Sequence, residues 1–174
     1  MMNESALSRI FLVGPMGSGK TSVGRHLAKL LEYEFFDSDA EVQARAGADI
    51  TWIFDKEGEV GFRSREKTVI EDLAGRSQVV IATGGGSVVT ETNCILMSQV
   101  GIVIFLKVSV DEQFQRTRLD RNRPLLERPD RYQVLSALML EREPIYTELA
   151  DFVVSSASGS ALTIAREIRQ LLEA

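Results

Sequence analysis

Gly14-Pro15-Met16-Gly17-Ser18-Gly19-Lys20-Thr21 fits the pattern G-x-x-x-x-G-K-[ST], and its reading decides the fold of this chain. Arg9-Ile10-Phe11-Leu12-Val13 before it reads as a buried strand, and Ser22 to Leu31 after it as an amphipathic helix. Glycines at these positions let the backbone wrap a phosphate chain, with amide hydrogens and a helix N-terminus aimed at the anion. The sequence therefore predicts a nucleoside triphosphate site on Gly17, Ser18, Gly19, Lys20, Thr21 and Ser22. Lys20 would reach the terminal phosphates, and the Thr21 hydroxyl would ligate Mg²⁺. A chance match in a chain of this length is expected well below about one time in a hundred, which disfavours a mere glycine-rich turn with a surface lysine.

Strand-like runs recur at Ile10–Val13, Glu34–Phe36, Val79–Thr83, Ile102–Lys107 and Phe152–Ser155, separated by stretches of helical periodicity. That βαβα alternation predicts an α/β fold, a parallel sheet covered on both faces. Val23, Leu27, Leu30 and Leu31 form one apolar stripe, and Phe62, Val69, Ile70 and Leu73 another, with Gly75 as a candidate C-terminal cap. The last helix enters at Ser160 and carries Leu162, Ile164, Ile168 and Leu171. No repeat, low-complexity tract or linker interrupts the pattern, so residues 1–174 read as one domain. Two insertions stand out: 38–76, with several helical pieces, and 119–131, rich in proline and arginine. Such segments are where substrate pockets and lids reside.

At 174 residues, 44% hydrophobic and 26% charged, the composition is that of a soluble globular protein. A net charge of −5 argues against broad nucleic-acid or anionic-membrane binding. Cys94, the one cysteine, cannot pair internally, which suits a reducing compartment. No basic-then-apolar leader opens the sequence, and the apolar runs are far shorter than a membrane span. The expected location is the cytoplasm, and nothing demands more than a monomer.

The loop needs a carboxylate to support a Mg²⁺ shell. Val79–Thr83 runs into glycine and Ile102–Leu106 into Lys107, whereas the second strand supplies Asp37-Ser38-Asp39. If the chain stays extended there, Asp37 and Asp39 share a side. Asp37 is then assigned to the metal through water and Asp39 to an acceptor hydroxyl. Alternatively, Ser38 or Asp39 caps a helix over 40–46. Thr83-Gly84-Gly85-Gly86-Ser87 at a strand end suggests close backbone approach by a ligand, or a plain turn. Arg116, Arg118, Arg121, Arg123, Arg128 and Arg131 face only Asp120, Glu127 and Asp130 within sixteen residues. That suits a lid neutralising transferred phosphate, or else a solvated basic loop with weak RNA contact. Arg63, beside Phe62, and Arg142 are candidate carboxylate forks, though each taken singly reads as a surface helical arginine. Trp52, Ile53 and Phe54 read as core, and His26 as an ordinary helix residue. Asp55-Lys56-Glu57-Gly58 matches the D-x-x-G of GTPase switches, but it follows a helical run and no N-K-x-D accompanies it.

In order and spacing these pieces resemble shikimate kinase over nearly the whole chain: Gly14–Thr21, Asp37-Ser38-Asp39, Phe62-Arg63-Ser64-Arg65-Glu66, Gly84-Gly85-Gly86, Arg123-Pro124-Leu125-Leu126 and Arg142-Glu143-Pro144-Ile145-Tyr146. The resemblance implies a P-loop fold with a five-stranded parallel sheet in order 2-3-1-4-5, a substrate region over 38–76 and a lid over 119–131. It implies transfer of the ATP γ-phosphoryl group to the 3-hydroxyl of shikimate, with Mg²⁺, in aromatic amino acid (chorismate) biosynthesis. By position, Arg63 and Arg142 look like the clamp on the shikimate carboxylate, and Asp39 like the hydroxyl-contacting base. Gly84, Gly85 and Gly86 match the substrate-binding triplet, and Phe54 and Phe62 an apolar wall. Arg123 is similar to the lid arginine that reaches phosphate and substrate, and Arg116 to the arginine that packs on adenine. Thr21 and Asp37 match the Mg²⁺ arrangement, and Glu66 is an acid placed to orient Arg63. The loop Ser155-Ser156-Ala157-Ser158-Gly159 departs from the pattern by lacking a proline. Rival readings are a kinase for gluconate or a nucleoside monophosphate, and a non-catalytic ATP-binding switch.

Overall fold

The computed structural model describes residues 7–120, 128–157 and 159–174. Five strands among them, β1 (Arg9–Val13), β2 (Glu34–Asp37), β3 (Val79–Ala82), β4 (Ile102–Lys107) and β5 (Phe152–Ser155), form a parallel sheet in order β2-β3-β1-β4-β5. The order expected from the resemblance is the one found. Central β1 pairs Phe11 with Ile81 on one side and with Val103 on the other.

Both faces of the sheet are buried, so its inner strands are unbroken apolar runs. Phe11 and Val13 point into one core with Ile81, Val103 and Phe105, and Ile10 and Leu12 into the other with Val80, Ile104 and Leu106. Each such side chain, fully withdrawn from water, contributes on the order of 1.5–3 kcal/mol. Helix α1 (Lys20–Leu31) covers the second face through Val23, Leu27 and Ala28. It shares that face with the C-terminal helix α7 (Ala161–Glu173), which Ser160 caps by accepting from the Thr163 amide.

The first face is closed by α2 (Ser38–Ala46), α3 (Ile50–Ala74), α4 (Glu91–Val100) and α6 (Arg131–Leu149), and α5 (Val110–Arg116) flanks the sheet's carboxyl edge. The insertion at 38–76 is thus α2 and α3, the latter broken at Gly58, where φ is 68° and ψ −176°. The D-x-x-G match lies within this broken helix, away from any strand end. Gly75 does end α3, but in right-handed geometry; the left-handed residue of that turn is Gln78. Among the described residues no helix is long and apolar enough to cross a membrane.

Candidate active site

The phosphate loop, Asp37, Asp39, Arg63, the glycine triplet and Arg142 gather at the carboxyl end of the sheet, where parallel strands present their ligands. The turn from β1 into α1 begins at Gly14, with φ 145°; a Cβ there would lie 2.7 Å from the Leu106 carbonyl oxygen, so only glycine fits against β4. Gly19 precedes α1 in left-handed geometry and offers no side-chain cap, leaving the helix N-terminal amides to an anion. The helix starts at Lys20, two residues earlier than its apolar stripe indicates. Lys20 Nζ folds back onto its own loop, donating to the carbonyls of Gly14 (2.7 Å) and Pro15 (2.8 Å). Ser18 is fully buried beneath it.

Beside the loop, Thr21 Oγ1 donates to Asp37 Oδ2 at 2.6 Å. The extended geometry expected for Asp37 and Asp39 is not what forms. β2 ends at Asp37, whose Oδ1 caps α2 by accepting from the Ala40 amide, and Asp39 lies in the first helical turn. Neither Ser38 nor Asp39 is the cap. Ser38 instead accepts from the Gly84 amide (2.9 Å), tying β2 to the glycine triplet.

Phe54, Phe62, Arg63, Gly84, Gly85, Gly86, Asp39 and Arg142, drawn from five separate stretches of chain, line one cavity of about 440 Å³ together with Thr21 and Asp37. The triplet's glycines keep negative or extended φ, so their value is close approach. A Cβ on Gly84 would lie 2.5 Å from Asp39 Oδ1 and 3.0 Å from Glu66 Oε2, and one on Gly86 would overlap the Arg63 guanidinium. Gly85 packs against the Met16 amide of the phosphate loop, and its carbonyl accepts from the Tyr146 hydroxyl. Burial raises that hydroxyl to about 12, which keeps it a donor. Arg142 is only 8% exposed, so its reading as a surface arginine fails; Arg63 too is largely covered and sits over the Phe62 ring. Of the Trp52-Ile53-Phe54 run, Ile53 is core, Trp52 is half exposed and Phe54 stacks on Phe62 in the cavity wall.

Arg63 donates to Glu66 at 2.9 Å, and Glu66 has no exposed surface. Burial pushes its carboxyl up from 4.5 to about 7, against the pull of Arg63, with Asp39 adding to the rise and Arg142 opposing it. The folded chain therefore holds this proton more tightly than the unfolded chain does. The resulting stability is complete below pH 4.5 and is lost as pH rises through 7. A gap of that size corresponds to about 3 kcal/mol. Glu66→Gln keeps the shape and cannot ionise. In urea unfolding it is expected to match the parent near about pH 4 and to exceed it by about 3 kcal/mol near about pH 8. A difference independent of pH would refute this account.

On the other side of the phosphate loop, Arg116 donates to the Gly17 carbonyl (3.0 Å) and to the Ser156 carbonyl (2.6 Å), joining the loop to the segment after β5. Two neighbouring arginines among the described residues have local partners. Arg128 pairs with Asp130, and Arg131 opens α6 while donating to the Phe114 and Arg118 carbonyls. Arg123, with 121–127, lies outside the described residues. Sequence reasoning missed Arg25, Gln43, Ile50 and Asp120, which also line the cavity. Arg25 had a signal, since it stands one helical turn beyond Thr21 on the same face. Gln43, whose Oε1 accepts from the Ile50 amide, had none.

Known proteins resemble this chain in both sequence and fold. A family model described as shikimate kinase matches residues 16–173. The shikimate kinase of Hahella chejuensis is 54% identical over 169 residues, covering 97% of this chain and 88% of that protein. That of Halorhodospira halophila is 54% identical over 166 residues, 95% of this chain and 94% of the other. The solved shikimate kinase from Acinetobacter baumannii in complex with shikimate superposes with a TM-score of 0.94 at 48% identity, covering 97% of this chain and 94% of that one. The chain belongs to the shikimate kinase family.

Proposed function

We propose that this protein transfers the γ-phosphoryl group of ATP to the 3-hydroxyl of shikimate, giving ADP and shikimate 3-phosphate for aromatic amino acid biosynthesis. The observation that carries the reading is the convergence of two largely buried arginines, Arg63 and Arg142, on a cavity that also meets the phosphate loop. Shikimate is a small anion with several hydroxyls, so its site needs cationic forks for the carboxylate and acceptors for the hydroxyls. Arg63 and Arg142 hold the carboxylate, Phe54 and Phe62 wall the ring, and Gly84, Gly85 and Gly86 let the substrate lie close to the backbone. Asp39 receives or orients the 3-hydroxyl proton. Lys20 and Arg123 face the charge on the transferred group, the latter from a lid over 119–131. Arg116 packs on adenine. Because the transition state is loose, placing the hydroxyl in line matters more than the basicity of Asp39. The protein acts in this scheme as a cytoplasmic monomer without nucleic-acid or membrane partners, in keeping with its net charge of −5.

Mg²⁺ fits this site. Thr21 gives its proton to Asp37, so its hydroxyl oxygen would keep a lone pair for the ion and Asp37 would support it through water. When bound, the ion would neutralise phosphate charge.

The test is ADP release with ATP and Mg²⁺ in the presence of shikimate, gluconate, nucleoside monophosphates or no acceptor. Turnover confined to shikimate is the expected result. Equal or greater turnover with gluconate or a nucleotide, or none above the acceptor-free rate, would overturn the proposal.

A further inference from the structure

Behind the substrate cavity lies a second, much smaller one of about 10 Å³, walled by Pro15, Leu135, Met139, Tyr146, Gln113 and Arg142. Gln113 is 1% exposed and Arg142 8%. Gln113 Nε2 and Arg142 Nε are both buried with no hydrogen-bond partner among the described residues. Two donors cannot satisfy one another, and leaving either unpaired in an apolar wall is unfavourable. The space is about what one water needs, and a water held there needs two to four polar partners. The third partner is present: Tyr146 gives its proton to the Gly85 carbonyl, and its oxygen, which already accepts from the Arg142 guanidinium, keeps a further lone pair to accept from a water.

We propose that this cavity holds one ordered water, accepting from Gln113 Nε2 and Arg142 Nε and donating to Tyr146, and that Gln113 is through it a positioning residue for the Arg142 guanidinium. Arg142 lines both cavities. With Nε engaged from behind, the planar group is fixed in rotation and its Nη edge is turned to the substrate side. Gln113 is a firm anchor for this purpose. Its helix is seated on the phosphate loop: a Cβ on Gly17 would meet Thr117 Cγ2 at 3.1 Å and Gln113 Cα at 3.5 Å, and Arg116 holds the Gly17 carbonyl. The carboxylate fork is thereby referenced to the same loop that carries the nucleotide. The inference rests on reading Arg142 as part of that fork.

The first measurement is a high-resolution crystal structure of the wild-type protein, expected to show a water bridging the three groups. A dry cavity, or Gln113 turned away from it, would overturn the proposal. Kinetics supply the second. Gln113→Met keeps the shape and loses the donor, and is expected to raise the shikimate KM by about five- to tenfold, with kcat and the ATP KM within about twofold. A parallel loss in all three parameters would mark a merely structural role and overturn the inference. So would an unchanged shikimate KM. In an Arg142→Lys background, which lacks Nε–H, the Gln113→Met effect should vanish; additive effects would refute the coupling. Arg142→Lys alone separates the two levels. If it leaves the shikimate KM unchanged, the fork reading itself fails; if it raises KM and Gln113→Met does not, only the water bridge fails.

Discussion

Lys20→Met is expected to lower kcat by about two to three orders of magnitude while changing the melting temperature by only about a few degrees. In the free protein the Lys20 side chain is turned onto its own loop. Its ammonium bonds to the carbonyls of Gly14 and Pro15 and to Ser18 Oγ, all within the phosphate loop. Pro15 keeps a second donor, the Ser18 amide, so one of these carbonyls stays satisfied without the lysine. Methionine is as good a helix former as lysine at the first position of α1, so the helix start survives. The catalytic loss is of another kind. A cation aimed where charge builds on the transferred phosphoryl oxygens acts in the transition state far more than in the ground state. The fall should therefore appear in kcat more than in the ATP KM. Turnover within about tenfold of wild type would remove Lys20 from the phosphoryl site.

How much of this was legible beforehand differs between fold and site. The strands of the sheet were plain because burial on both faces leaves Val79–Ala82 and Ile102–Leu106 with nothing polar to confuse the pattern. Their spatial order was not legible from pattern alone, since crossover connections carry no local signature of which neighbour a strand joins; it came only with the family resemblance. Helix α6 showed no clear apolar stripe because Pro144 interrupts it and Leu140, four residues earlier, faces solvent. Gln43 and Ile50 of the cavity carried no signal, whereas Asp39, Phe54, Phe62, Arg63, the glycine triplet and Arg142 were legible by type and order. What sequence could not give is why they need one another. Gly84 makes room for Asp39 and Glu66, and Gly86 for Arg63, contacts between stretches far apart in the chain. The shared role of Asp37, with one oxygen on Thr21 and the other capping α2, is equally a product of packing. What composition leaves out of the basic run at 116–131 is that Arg128 and Arg131 are engaged locally.

The dependence of substrate binding on that packing makes Arg63→Ala the sharper of the two tests. It is expected to raise the shikimate KM by about a hundredfold and leave the ATP KM within about twofold, because a bidentate charge-assisted pair is lost on one substrate only. Stability should fall as well, by about 2 kcal/mol near neutral pH, since Glu66 Oε1 loses its donor inside a fully buried site. The loss is bounded because Glu66 can take up a proton. Without the Arg63 charge that now opposes the rise, its acidity should move further above 7. Adding Glu66→Gln should therefore recover much of the stability and none of the shikimate affinity. Gly86→Ala gives an independent route to the same defect. Its methyl would occupy the place of the Arg63 guanidinium, the far end of a flexible side chain, so the protein should fold with Arg63 displaced. Its kinetic signature should then resemble that of Arg63→Ala, with Glu66 still accompanied by a cation and a smaller change in stability. A shikimate KM unmoved by both substitutions would show that the carboxylate is held elsewhere, whatever the stability data say.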